Sequence, residues 1–243
     1  MKESRNFKNL TNLNACELNE LGNAYADDGM WGEAEECYSR SLALRQEKGD
    51  RRGEMVVLNN LGALYHRQAL WDEALRCYRE SREIAHKLEE RESELAILVN
   101  MIFIHVTRSH VEDFLQLADE AEELAQALEG WAPLSILHWL RGRHALTSSR
   151  HEEGMAYYAE ALRFALKGGE AALREMLAHV DKEIEQLVAR DSLGLALVLC
   201  DYLLAATEGY EGVQAHLRAK REEVLHAPFP RHPVRTLASP GDQ

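Results

Sequence analysis

Two stretches of twenty-four residues, forty apart, carry one pattern: LNELGNAYADDGMWGEAEECYSRS from Leu18 to Ser41 and LNNLGALYHRQALWDEALRCYRES from Leu58 to Ser81. Eleven positions are identical, among them Leu18/Leu58, Leu21/Leu61, Gly22/Gly62, Tyr25/Tyr65, Trp31/Trp71, Ala34/Ala74, Cys37/Cys77, Tyr38/Tyr78 and Ser41/Ser81. Self-similarity at a period of this size marks a stack of supersecondary units, since one such unit cannot bury its apolar face alone.

Leu18, Leu21, Gly22 and Tyr25 fall at i, i+3, i+4 and i+7, one stripe of a first helix. Ala34, Cys37, Tyr38 and Ser41 are spaced the same way and mark a second. Gly22 and Gly62 lie mid-helix, where glycine costs about 1 kcal/mol against alanine. A cost repeated at one place predicts a packing role: the second helix crosses too closely for a Cβ, with small Ala34 at the crossing and Tyr38 beyond it.

This pattern resembles the tetratricopeptide repeat, whose signature sets a large apolar residue, Leu-Gly and Tyr in its first helix, then Ala, an aromatic and a small residue in its second. Here those places are Leu18, Leu21, Gly22, Tyr25, Ala34, Tyr38 and Ser41, with their +40 counterparts. The usual spacing is about 34 residues. Forty resembles the longer-helix variety of bacterial regulators and kinesin-light-chain-like adaptors. The resemblance implies an all-α fold, an α-α superhelix: a solenoid of antiparallel helix pairs.

Residues 1–12 read as a polar lead-in, followed by pairs near 13–50, 51–90, 91–130, 131–170 and 171–208 and a capping helix over 209–226. Gly49 is placed to end the first pair. The third pair keeps register but carries Ile102 for the glycine, His105 for the tyrosine, and Phe114, Ala118 and Ala121 in the second helix. That reads as a volume swap with Ile102 facing Ala118. The fourth recovers Gly142, Ala145, Gly154, Tyr158 and Ala161, with Ser149 and Glu152 spaced as a capping box. Beyond 170 the motif fades, but Leu173, Met176, Leu177, Val180, Ile184 and Leu187 keep one stripe, and Asp191 or Ser192 is placed to cap the next helix. Four of the five prolines fall in the last sixteen residues, so 227–243 reads as a disordered Pro-rich tail.

A formal charge of -13 opposes phosphate backbones, so no nucleic-acid partner is expected. The start, MKESRNFKNL, lacks a signal-peptide core, and the apolar run Leu193–Cys200 is far short of the ~20 residues of a membrane span. Neither a membrane partner nor a span is expected, and a cytoplasmic setting is. Cys16, Cys37, Cys77 and Cys200 show no close pairing and read as small buried hydrophobes in a reducing compartment.

Catalytic chemistry is not expected. His144 and His151 near Ser148 and Ser149 fall at a helix end, where capping explains them better than a nucleophile and its base. Glu35-Glu36, Glu89-Glu90, Glu122-Glu123 and Glu152-Glu153 are sequence neighbours pointing about 100° apart on a helix, so they are solvated faces rather than dyads. No HExxH, CxxC, P-loop or GxGxxG run occurs, and no cofactor or metal is expected.

In the resembled architecture the first helices line a concave groove. Carried over by register, its wall includes Asn19 and Asn23 in the first pair; Asn59, Asn60, His66 and Arg67 in the second; Asn100 and Phe103 in the third; and Trp139 and Arg143 in the fourth. An asparagine both donates and accepts, so it can bind a peptide backbone whatever the side chains. For Asn19 and Asn59, hydrogen bonds between helices of the stack are an equal reading, and Asn60 and Asn100 lean to peptide contact. Phe103, Trp139 and Arg143 are of types enriched at interface hot spots, although for the two aromatics ordinary core packing is the slightly favoured reading. The function that follows is a non-enzymatic scaffold or adaptor gripping a peptide or helix of a protein partner. The alternative is a peptide-responsive regulatory module acting on a separate effector chain.

Overall fold

The computed structural model describes residues 12–108 and 111–227. The expectations for the lead-in up to residue 11 and for the tail from residue 228 lie outside them. The chain divides into two compact units, Met1–Leu140 and Arg141–Gln243, the division falling within one helix. No strand occurs among the described residues.

The first unit holds α1 (Ala15–Asp27), α2 (Trp31–Lys48), α3 (Arg51–Arg67), α4 (Trp71–Lys87), α5 (Arg91–Arg108), α6 (Val111–Ala127) and the start of α7 (Trp131–Thr147). Each helix from α1 to α5 packs on the next, and α1 touches α3 as α3 touches α5. The core passes from pair to pair: Tyr25, Ala34, Tyr38, Leu61 and Cys77 form one cluster, and Met55, Tyr78, Ile97, Met101 and Ile104 the next. Burying a Leu-sized side chain in this way stabilises by about 1.5–3 kcal/mol. The second unit holds the rest of α7, α8 (His151–Gly168), α9 (Glu170–Ala189), α10 (Leu193–Ala206) and α11 (Glu211–Leu225). Its α9 stripe is buried at Met176, Val180, Ile184 and Leu187, and α11 contributes Val213 and Leu217. This is the α-α superhelix class, built of consecutive packed helices.

The recurrent glycine does pack against the second helix, but its partner differs from the expectation. A Cβ at Gly22 would lie 2.6 Å from Tyr38 Cε1, and one at Gly62 equally close to Tyr78 Cε1. The tyrosine ring, not Ala34, occupies the space, because a ring laid on the backbone reaches one turn past the alanine methyl. Ile102 and Ala118 hold the equivalent places in the third pair, and both are fully buried. In the fourth pair Gly154 takes the alanine place, where a Cβ would meet Leu146 Cδ2 at 2.9 Å and Gly142 O at 3.0 Å. Ser41 and Ser81 are buried and donate from their hydroxyls to Ala15 O at 2.6 Å and Met55 O at 2.7 Å.

Seven of the turns are made one way. Met30, Asp50, Leu70, Glu90, Gly130, Arg150 and Ser192 each donate their N–H to the carbonyl five residues back. That bond needs a left-handed residue just before the donor. Gly49 supplies it as expected (φ 67°), but Ala69 (φ 59°), Glu89 (φ 57°) and Glu129 (φ 53°) bear it without being glycine. Ala69→Gly is therefore expected to raise stability by about 1 kcal/mol, measured by urea denaturation at unchanged m-value.

Two expected caps do not form. Arg150, not Ser149, is the N-cap of α8, with no side-chain cap bond, since Ser149 is the left-handed residue of the turn (φ 61°). Asp191 (φ 61°) does the same before α10, and Ser192 makes no side-chain cap bond. The capping box lies instead at α1: Asn14 Oδ1 accepts from Cys16 and Glu17 N–H, and Glu17 Oε2 accepts from Asn14 N–H at 2.8 Å. Cys16, expected buried, is exposed in that first turn with Arg45 Nη2 3.5 Å from its sulfur; the other three cysteines are buried.

Candidate functional site: the row of first helices

Helices α1, α3 and α5 bring the asparagines together in two steps. Asn60 Nδ2 donates to Asn19 Oδ1 at 2.9 Å and to Asn23 Oδ1 at 3.3 Å. One repeat on, Asn100 Nδ2 donates to Asn59 Oδ1 at 3.2 Å. Four of these residues are half-buried and Asn23 is exposed. From beneath, the Tyr38 hydroxyl donates to Asn23 Oδ1 at 2.7 Å. Burial pushes that hydroxyl up to about 12, so it remains a donor at neutral pH. The bonds between helices are thus made, and each uses only part of a group offering two donors and an acceptor.

His66 and Arg67 sit in the last turn of α3 against the tryptophans that open α4 and α2. The His66 ring lies 5.4 Å from Trp71, tilted by 57°. Burial holds His66 below its ordinary value, which keeps the imidazole neutral at pH 7. The Arg67 guanidinium lies 4.9 Å over the Trp31 ring, with Nη1 3.5 Å from Asp27 Oδ1. Both residues therefore fasten one repeat's end. Tyr65 does likewise, donating to Glu35 Oε1 at 2.7 Å.

Phe103 on α5 is half-buried, 6.2 Å from the Trp139 ring at 49°. Trp139 itself is 5% exposed, a core side chain that presents little area of its own. Arg143 belongs to the second compact unit, where its Nε lies 3.7 Å from Glu183 Oε2. Glu183 and His179 were not singled out from the sequence, because the motif is lost past residue 170. Adding forty to Arg143 and to Trp139 would have found them.

Among the described residues no group of three or more His, Cys, Asp or Glu side chains is placed to hold a metal ion. Nor is any helix among them long and apolar enough to cross a membrane. Ser148, Ser149 and His151 lie exposed around the turn between α7 and α8.

Paired helices in register, with amides bonded from repeat to repeat, define a helical repeat protein. Residues 14–87, the span of α1 to α4, match the tetratricopeptide repeat family. That match and the run of consecutive packed helices fit a repeat protein of the tetratricopeptide type, and such repeats are generally protein-interaction scaffolds. The crystal structure of BtubC (BKLC) from P. vanneervenii is similar in fold, at 19% identity and a TM-score of 0.62, over 93% of this chain and 87% of that one. No curated sequence relative matches the chain.

Proposed function

We propose that the row of first helices in Met1–Leu140 grips an extended segment of a partner protein through its asparagines, without catalysis. The observation that carries this reading is the stepped amide array. Asn60 and Asn100 each donate to a neighbour and keep a carbonyl, while Asn19 and Asn59 each accept and keep an NH2. Donors and acceptors so alternate between adjacent helices, as they do along a peptide backbone, and a half-buried amide suffers little desolvation on binding. Phe103 adds an apolar anchor beside the array. A cytoplasmic setting fits such a role.

The test starts from peptides selected out of a random displayed library on the wild-type chain. Asn60→Ala with Asn100→Ala is expected to weaken them about tenfold or more, at about 1 kcal/mol of stability per lost bond between helices. Unchanged affinity per folded molecule would make the amides purely structural and overturn the reading.

A further inference from the structure

In the second unit α9 and α11 are joined across a seam by polar pairs that advance one helical turn at a time. His216 Nε2 lies 2.9 Å from Asp181 Oδ1, and one turn on Lys220 Nζ donates to Glu185 Oε1 at 2.9 Å. The same offset carries the series to Ala189 and Val224, and neither can form a polar pair. Both are also too short to meet across a seam that a lysine and a glutamate bridge with long side chains. There the seam opens into a cavity of about 270 Å3, with Ile184, Val188, Ala189, Val224 and Ala227 along its wall. Lys220 stands at its side, held between Glu185 Oε1 at 2.9 Å and Glu223 Oε2 at 3.1 Å.

We propose that the ring of Phe229, on the segment that follows Ala227, fills this cavity and completes the third step of the seam. The segment thereby covers the apolar end of the last helix, which a stack must shield from water. This departs from the reading of the whole stretch from residue 227 as disordered.

Reach, backbone preference, size and charge all support that occupant. Ala227 lines the cavity, and two further residues span at most about 7 Å. Ala227 and Phe229 each precede a proline, which disfavours the α conformation and favours extended backbone. Side chains two apart on extended backbone share a face, so Phe229 is directed to the side that Ala227 occupies. A cavity of about 150 Å3 accepts benzene, so this one takes a phenyl ring and part of a flanking proline. Val234 and Leu237, the next large apolar residues, lie several positions farther along. Beside the cavity one cation serves two carboxylates, whereas residues 228–243 carry Arg231 and Arg235 against a single acid, Asp242. The excess charges are of opposite sign, and Arg231 follows Phe229 closely enough to meet Glu185 or Glu223.

The experiment is nuclear Overhauser spectroscopy on the full wild-type chain, with valine methyls and phenylalanine rings labelled. Contacts from the Phe229 ring to the Val188 methyls are decisive, because Val188 lies on α9 and is not a sequence neighbour of the segment. They are expected together with contacts to Val224, and at the same intensity at low and high protein concentration. Phe229→Ala is expected to speed amide exchange in the last turn of α11 about tenfold, and Phe229→Leu to restore most of the protection. A wild-type chain lacking the Phe229–Val188 contacts overturns the proposal, whatever the variants do. So do contacts seen only between differently labelled chains, which would seat a second copy's segment there.

Discussion

Gly62→Ile is expected to destabilise the chain by about 3 kcal/mol or more, and adding Tyr78→Ala is expected to return about 2 kcal/mol of that loss. Even a Cβ at Gly62 meets Tyr78 Cε1 at 2.6 Å and Cδ1 at 2.7 Å, and isoleucine adds three further carbons. The ring cannot retreat, since Tyr78 is 1% exposed and packed among Leu75, Ala74 and Ile104. The double variant recreates the arrangement the protein already uses, Ile102 with Ala118, both at 0% exposure. Guanidinium melts of the two single variants and the double give the coupling energy directly. Additive losses would mean that glycine and ring do not share one space.

Trp139→Ala is expected to cost about 3–5 kcal/mol of stability, whereas Phe103→Ala costs about half that and acts mainly on partner affinity. At 5% exposure Trp139 spends its area on the core, and its removal leaves a cavity beneath Phe103. Phe103 is only half-buried and keeps area to offer. Thermal melts read the first effect and peptide titration the second. A Trp139→Ala chain that melts like wild type would place that ring at the interface rather than in the core.

The fold was legible because the repeat states its own period. Gly22, Tyr38 and Ser41 recur at +40 for reasons of packing, so a single stretch of sequence reveals the geometry of the next. What was less legible lies one level down. Small residues suggest close crossings and so point to Ala34 as the glycine's partner, whereas a flat ring fills that space just as well. Ser149 and Ser192 have the right residue type for caps, but Ser149 is taken up in the left-handed turn one residue before the N-cap of α8, and Ser192, at the N-cap of α10, makes no side-chain cap bond. Asn19 and Asn59 show why a site is harder to read than a fold. The same amide serves a neighbouring helix and has hydrogen-bonding capacity left, and only coordinates separate the two uses. Glu183 was missed because a polar residue past the last recognisable motif looks like any solvated glutamate, until the register is extended by one more period.

The most direct measurement is of the side-chain NH2 resonances of Asn19, Asn59, Asn60 and Asn100 while a library-selected peptide is titrated into the labelled full chain. The proposed grip predicts that all four shift together with one dissociation constant, and that N-methylating the peptide backbone opposite them removes the shifts. Tight binding with those four resonances unmoved would contradict it.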